Sequence, residues 1–289
     1  MYRALVHTFK RGFSFAISLY QIWGYRREVK SLHNRFKFGE FTLRFHSWLV
    51  YLFLYLPIAI LIIFSFNKSR INAVWTGFTL DWYKELFTDV SMLSALKNSL
   101  IVAFASTFIS TAIGTLTAFA MNRFNFFGKR LFDLVLYMPI IIPDIVMGIS
   151  LLTFYVLIRF TLGLYSIIIA HVAFNISFVA VVVRARLHGY DKTLDEAAMD
   201  LGANPFQTFV KVTFPLISPG VVGGALIAFT LSLDDYLITS FVAGTGSTTL
   251  PIKVYSMMKF GVTPEINALS TIILFFTMTL VLIAQKLVR

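Results

Sequence analysis

The sequence predicts an all-α integral membrane protein with six transmembrane helices. Of its 289 residues, 57% are hydrophobic and only 13% are charged, and the mean hydropathy is +0.77. Soluble domains carry about 25% charged residues, so the composition argues against a soluble globular enzyme. Six apolar runs are also close to or above the roughly 20 residues that a helix needs to cross a hydrocarbon core of about 30 Å.

The six apolar runs follow one another with no soluble domain, low-complexity tract or tandem repeat between them. Pro57 lies inside the first run, and a single proline is tolerated in a spanning helix. Pro139, Pro143 and Asp144 interrupt the third run. The predicted spans cover residues 48–66, 99–121, 131–158, 162–183, 220–243 and 267–284.

The basic residues predict the orientation of these spans. With the N-terminus in the cytosol, the inside segments hold 18 lysines and arginines and the outside segments hold 7. Because lysine and arginine are enriched on the cytoplasmic side, both termini are predicted to be cytosolic. The same asymmetry explains the net charge of +11 without a nucleic-acid partner, and anionic lipid headgroups are the expected neighbours.

Residues 1–47 form a basic segment in front of the membrane domain, 48–289. On a helical wheel its polar and apolar side chains separate, which is typical of a helix lying in the membrane interface. A poorly ordered basic tail is the alternative, and both interpretations stay open here. A signal peptide is less favoured, because Arg26 and Arg27 follow the apolar stretch in place of a small-residue cleavage site. The first outside loop has room for a short helix at 81–87.

The sequence carries no recognisable catalytic site. Cysteine is absent, which excludes disulfides, thiolate metal sites and cysteine nucleophiles. There is no HExxH motif, and no phosphate-binding loop, because Arg123 stands where the leading glycine before Gly128 and Lys129 is required. The chain is therefore predicted not to be an enzyme, and any nucleotide hydrolysis must belong to another chain.

The predicted cytosolic loop between spans four and five, 184–219, begins with a short helix at 193–201. Thr193 followed three residues later by Glu196 matches a capping box at the helix start. Gly202 suits the C-terminal end of the same helix. The first half of the loop is therefore predicted to fold as a compact helix.

A second short helix follows in the same loop. Asn204 is a suitable N-cap, and Pro205 suits the first helical position. The helix is predicted to run towards Val212, and Pro215 and Pro219 to mark the entry to span five. Two short helices between two spans favour a docking device on the cytosolic face. A loop with a purely structural role is the alternative.

The loop resembles the EAA motif of ABC importer permeases, EAA-x3-G-x9-I-x-L-P. The match departs from it at Val212 and Phe214, and both changes keep an apolar side chain. The resemblance implies the six-helix bundle of type I importer permeases, with the loop as the coupling helix that sits in a groove of a cytosolic ATPase. The residues that the resemblance places at the ATPase-coupling site are Glu196, Ala197, Ala198, Asp200, Gly202 and Pro215.

Four further segments resemble polyamine-type permeases, namely the C-type subunits of spermidine/putrescine importers. They are residues 138–149, 231–235, 250–257 and 260–269, and the whole resemblance covers about 93–284. It implies a multi-pass protein of the bacterial inner membrane that translocates polyamines. The implied partners are a homologous permease, two ATPase subunits that bind ATP and Mg²⁺, and an extracytoplasmic binding protein. No cofactor is expected in this chain itself.

Two other functional classes stay open from the sequence. Permeases for thiamine, ferric iron and other small solutes share parts of these segments, so the solute is less firmly indicated than the mechanism. A secondary transporter or channel that works alone is the second alternative. It would show inverted repeats and would need no docking loop.

Three carboxylates lie inside predicted spans and are candidates for a substrate pathway. They are Asp144, Asp234 and Asp235. Ionisable groups inside a membrane are costly and usually face the bundle interior or a water-filled path, and transport sites are commonly built at broken helices. Acidic side chains along such a path would suit a polycation. The structural alternative is that Asp234 caps a helix after a break and that Asp144 satisfies backbone donors near Pro143.

Small and polar residues predict where the spans pack. Small side chains at four-residue spacing let helices approach closely in lipid, within this subunit or against a second permease. His171 and Asn175, one turn apart in span four, are predicted to form an interhelical hydrogen bond. The small residues are Ser106, Ser110, Gly114 and Ala118 in span two and Gly220 and Gly224 in span five.

Overall fold

The computed structural model describes residues 40, 42–69, 74–259, 261 and 263–288. The chain divides into two compact units, one ending at Leu61 and one running over Ile62–Arg289. The predicted N-terminal interface helix lies almost entirely outside the described residues. Within the described part of the chain no β-strand is present, and an isolated bridge joins Asn67 to Phe78. The all-α prediction is confirmed.

Helices account for most of the described residues. The predicted short helix at 81–87 is confirmed, over Asp81–Thr88. The helices are α1 (Thr42–Phe64), α2 (Asp81–Thr88), α3 (Val90–Arg123), α4 (Lys129–Ile141), α5 (Asp144–Leu157), α6 (Leu164–His188), α7 (Thr193–Asp200), α8 (Pro205–Thr208), a π-helical turn (Phe209–Thr213), α9 (Phe214–Asp234), α10 (Leu237–Val242), α11 (Leu250–Met258) and α12 (Pro264–Val288).

Four continuous helices in the described residues are long and apolar enough to cross a membrane: α1, α3, α6 and the run Pro205–Asp234. The number becomes five if the bent pair α4 and α5 is counted as one span. The predicted sixth span, 267–284, lies within α12. The structure therefore supports a multi-pass membrane protein, while the count of six and the orientation of the termini stay predictions.

The third predicted span is sharply bent rather than straight. Its two halves, α4 and α5, meet at an angle of 111°. The break follows from Pro143, since a proline disfavours helical geometry in the residue before it, and Ile142 is extended with φ −71° and ψ 130°. Asp144 is then the first residue of α5.

The fifth predicted span begins at Pro205 rather than at Gly220, so part of the predicted loop is membrane-length helix. Its prolines do not stop the helix, which adjusts locally at each of them. Pro215 follows the π-helical turn, whose wider spacing lets the Phe214 N–H donate to Phe209. The carbonyl that Pro219 leaves free accepts the Ser218 hydroxyl at 2.8 Å. Prolines are tolerated inside spanning helices because side chains and local changes of helix geometry can satisfy the backbone groups that they leave free.

Helix α6 packs against both α3 and α9, and the predicted small residues form the contact. A Cβ added to Gly114 of α3 would lie 2.8 Å from the Val179 Cβ, and one added to Gly224 of α9 would lie 3.3 Å from the Val179 Cα. A Cβ on Gly220 would lie 2.8 Å from the Arg186 Cβ. These glycines therefore pack helices within this subunit.

We expect Gly114→Ala to destabilise the membrane bundle. The added methyl would meet the Val179 side chain at 2.8 Å and the Ile176 carbonyl oxygen at 3.0 Å, and overpacking of this kind costs about 1–3 kcal/mol. Thermal unfolding of the detergent-solubilised protein measures the loss. Gly223→Ala is the matched control, since its nearest neighbour would lie at an ordinary 3.8 Å. Equal melting temperatures for the two variants would contradict the prediction.

Candidate functional site

Helix α7 ends at a left-handed glycine. Gly202 has a φ of +88°, its N–H donates to the Met199 carbonyl at 2.9 Å, and the Ala203 N–H donates to the Ala198 carbonyl at 3.1 Å. This pair of bonds is a Schellman motif, in which glycine is favoured because it has no Cβ. The predicted place of Gly202 at the end of the helix is confirmed.

The start of α7 differs from the prediction. Lys192 precedes the helix without a side-chain cap, and it is the Asp191 carboxylate that accepts the Thr193 N–H at 3.0 Å. The predicted capping box of Thr193 and Glu196 is wrong, because the earlier Asp191 takes that donor. The backbone hydrogen bond from Thr193 lowers the pKa of the Asp191 carboxyl, which places a negative charge at the favourable end of the helix.

Helix α8 begins as predicted. The Asn204 side chain accepts the Gln207 N–H at 2.8 Å, and the Gln207 side chain accepts the Asn204 N–H at 3.0 Å. Pro205 occupies the first helical position, where its missing N–H has no intrahelical partner to lose. Two capped helix ends thus fix the turn between α7 and α8.

The two short helices present a mixed polar and apolar surface. Glu196, Ala197 and Asp200 are exposed, and Ala198 is half-buried. Leu201 is 91% exposed and Phe206 is 75% exposed. Pro215 is also exposed at the start of α9. Exposed apolar side chains therefore lie beside exposed acidic ones on this surface.

Asp195 lies on the buried side of α7 and anchors the α7–α8 surface. It is not among the residues predicted from the sequence. It is 2% exposed and accepts three hydrogen bonds. The Arg123 guanidinium donates at 2.7 Å in an ion pair, the Thr213 hydroxyl donates at 2.8 Å, and the Tyr190 phenol donates as well. Burial, together with the Asp195 carboxylate, raises the pKa of the Tyr190 phenol, so it stays a donor at neutral pH.

The sequence contained a signal for this anchor. Asp195 lies three and four residues before Ala198 and Met199, and residues at this spacing share a helix face. Ala198 and Met199 are both less exposed than Glu196 and Asp200. A carboxylate on the apolar face of a short helix indicates a buried partner, because a buried charge is costly unless it is paired.

The adjacent aspartates in the predicted substrate pathway have different environments. Asp235 is extended between α9 and α10, and its side chain is 9% exposed. Its carboxylate accepts the Thr239 N–H at 2.7 Å and the Thr239 hydroxyl at 2.6 Å, and lies 3.3 Å from the His171 Nε2. Asp235 therefore caps α10, which corrects the structural alternative that gave this role to Asp234.

Asp234 and Asp144 are both exposed, and neither has a hydrogen-bond or ion-pair partner among the described residues. Asp144 begins α5 and Asp234 ends α9. Helix α5 packs against α10, since a Cβ on Gly148 of α5 would lie 3.4 Å from the Ile238 Cα of α10. Asp144 therefore lies one turn before this contact, and Asp234 lies just before the break that leads into α10.

His171 forms interhelical hydrogen bonds, as predicted, but Asn175 does not share them. The imidazole contacts the Ser232 hydroxyl at 2.7 Å and the Thr239 hydroxyl at 2.9 Å, and Ser232 contacts Ser106 at 2.9 Å. The Asn175 amide is fully buried and has no hydrogen-bond partner within the described residues.

No group of three or more histidine, aspartate or glutamate side chains suited to hold a metal ion lies in the part of the chain that the structure describes.

Comparison with protein-family models gives one match. Residues 110–289 match the family described as "Binding-protein-dependent transport system inner membrane component". This range includes both the α7–α8 loop and the α9–α10 break.

Curated relatives cover most of the chain. The spermidine/putrescine transport system permease protein PotC of Escherichia coli is 44% identical over 83% of this chain and 91% of its own length. The protein of the same name from Haemophilus influenzae is 41% identical over 84% and 94%. The putrescine transport system permease protein PotI of Escherichia coli is 44% identical over 77% and 82%.

Solved structures share the fold. A subunit of a bacterial ABC transporter involved in the import of the acidic polysaccharide alginate has a TM-score of 0.71 at 19% identity, covering 91% of this chain and 98% of that chain. A chain of the inward-facing MetNI methionine ABC transporter has a TM-score of 0.55 at 20% identity, over 70% and 98%.

Proposed function

Because this chain belongs to the family of inner membrane components of binding-protein-dependent transport systems, we propose that it imports polyamines as a permease subunit of an ATP-driven ABC importer. Proteins of this family are transport subunits and not enzymes, and they are multi-pass inner membrane proteins. The polyamine substrate is proposed from the names of the relatives, which are 41% to 44% identical.

The observation that carries this proposal is that one membrane domain contains both a docking loop and carboxylates without partners. The exposed α7–α8 surface suits a cytosolic ATPase. Asp144 and Asp234 lie unpaired in or beside apolar helices, where an ionisable group is usually kept for a function. A polyamine carries several separated ammonium groups, so weak and sequential contacts with such carboxylates would replace its hydration as it passes.

The proposed assembly contains a homologous permease, two ATPase subunits and an extracytoplasmic substrate-binding protein. ATP and Mg²⁺ would be held by the ATPase subunits, and this chain would hold no cofactor. The Glu196–Gly202 stretch would contact the ATPase, with Ala197 and Ala198 permitting close approach. Closure of the ATPase dimer would move the α7–α8 loops and switch the bundle from inward-facing to outward-facing, and the binding protein would then deliver the solute.

ATP-dependent uptake by the assembled importer in proteoliposomes tests the proposed function. We expect labelled spermidine or putrescine to accumulate only with ATP and the binding protein, and each unlabelled polyamine to compete with the other. Thiamine and ferric iron serve as control solutes. ATP-driven uptake of a control solute without polyamine uptake would contradict the proposed substrate. Uptake by this chain alone without ATP would contradict the proposed mechanism.

A further inference from the structure

The Asp195 carboxylate joins the α7 docking helix to the cytosolic ends of two membrane-length helices. We propose that Asp195 is the positioning residue through which displacement of α7 is passed to α3 and α9. This inference rests on the proposed function, because it takes α7 as the segment that the ATPase moves.

The donors to Asp195 come from three separate elements. Arg123 is the last residue of α3, and Thr213 ends the π-helical turn that leads into α9. Tyr190 lies in the connection that follows α6. A carboxylate offers about four acceptor positions, and three of them are used here, two by groups that lie 72 and 18 residues away in the sequence. One side chain therefore ties α7 to the end of α3 and to the turn that leads into α9.

Apolar packing does not provide an alternative connection of this kind. Asp195 is the buried residue of α7, while the side chains around it in the helix are exposed or half-buried. An amphipathic helix normally packs through the apolar face that it buries. In α7 the central position of that face is a charged group, so the hydrogen bonds of Asp195 replace the usual apolar contact.

The hydrogen bond that links Asp195 to α9 comes from the π-helical turn that precedes this helix. Pro215 has no N–H for the Lys211 carbonyl, and the helix widens over Phe209–Thr213 just before it. Single π-helical turns are often found at functional sites. Because Thr213 donates to Asp195 from the end of this turn, a shift of α7 acts on α9 where its backbone ladder is already interrupted.

The ratio of solute imported to ATP hydrolysed tests this role. The assembled importer in proteoliposomes, with labelled spermidine as solute, is compared with its Asp195→Asn and Asp195→Ala variants. We expect ATP hydrolysis to persist and uptake per ATP to fall at least about fivefold, the lower end of typical coupling between two sites. Loss of the link leaves the ATPase bound but its closure poorly transmitted.

Two further variants locate the effect. Arg123→Gln is expected to lower the same ratio, and the Asp195→Asn/Arg123→Gln double variant to be no worse than the more severe single one, since the two residues act as a pair. Asp191→Asn is the matched control. It removes a neighbouring acidic charge, but asparagine keeps the cap on Thr193, so the ratio should stay at its original value.

An unchanged ratio in both Asp195 variants would overturn the inference. So would an equal fall in ATP hydrolysis and uptake, which indicates a structural role alone. If the Asp195 variants do not assemble, Thr213→Val and Tyr190→Phe remove single neutral donors and decide the question by the same ratio. Failure of the unaltered importer to couple ATP to uptake would instead contradict the proposed function.

Discussion

Deletion of residues 196–202 is expected to abolish ATP-driven uptake while the chain still inserts into the membrane. The deletion removes the exposed part of α7, including Glu196 and Gly202, and leaves no docking surface for the ATPase. The contacts that hold the membrane helices together lie elsewhere, as in the packing of Val179 between Gly114 and Gly224. Uptake of labelled spermidine, measured beside the amount of chain in the membrane fraction, separates the two effects.

A single substitution tests the shape of the loop. Gly202→Val forces a side chain onto a residue with φ +88°, and left-handed geometry costs an L-residue about 1–2 kcal/mol. A Cβ at Gly202 would meet no atom within 4 Å, so the strain lies in the backbone and not in a clash. We expect uptake to fall well below that of Gly202→Asn, because asparagine tolerates this conformation.

Gly189→Ala is the control for the Gly202 substitutions. Gly189 also follows a helix, but its φ is −93° and a Cβ there meets no atom within 4 Å. Spermidine uptake by the Gly189→Ala variant should stay near the original level. Uptake at the original level in Gly202→Val, or in the deletion, would show that the loop is not the coupling element.

Much of the α7–α8 loop could be predicted because its determinants are local. Gly202 and Asn204 cap helix ends through bonds to residues that are three or four positions away. Asp195 could not be assigned in the same way, because its partners Arg123 and Thr213 are 72 and 18 residues distant. Local patterns fix helix ends, whereas a buried ion pair depends on how distant helices pack.

The ends of the membrane helices were predicted less well than their existence. Pro215 and Pro219 are predicted to mark the entry to span five, yet the helix runs through both. The local adjustments are a π-helical turn and a hydrogen bond from the Ser218 hydroxyl, and neither follows from hydropathy. At Pro143 the chain instead bends by 111° between α4 and α5.

Asp234 and Asp235 are adjacent, so local sequence does not decide which of them caps the helix after the break. The structure separates them, since Asp235 is enclosed by His171 and Thr239 while Asp234 is exposed without a partner in the described region. One carboxylate caps the helix after the break, and the other is exposed, as its proposed place in the substrate pathway requires. This difference can be measured.

Asp234→Ala is expected to weaken polyamine transport without destabilising the protein. An exposed side chain without partners contributes within about 0.5 kcal/mol to stability, so the melting temperature should hardly change. Loss of one charged hydrogen bond to an ammonium group, worth about 1.5 kcal/mol, should raise the KM for spermidine about tenfold. Asp144→Ala is also expected to raise the KM for spermidine.

Asp235→Ala, unlike Asp234→Ala, is expected to destabilise the protein strongly. It removes the cap of α10, leaves the buried Thr239 hydroxyl without its acceptor and takes away the carboxylate 3.3 Å from the His171 Nε2, which should cost about 2–4 kcal/mol. Asp235→Asn keeps a capping oxygen, so its melting temperature should lie between those of Asp235→Ala and the original protein. A raised KM in Asp235→Asn at unchanged stability would assign the substrate contact to Asp235 instead. Unchanged KM values in both Asp234→Ala and Asp144→Ala would remove these carboxylates from the pathway altogether.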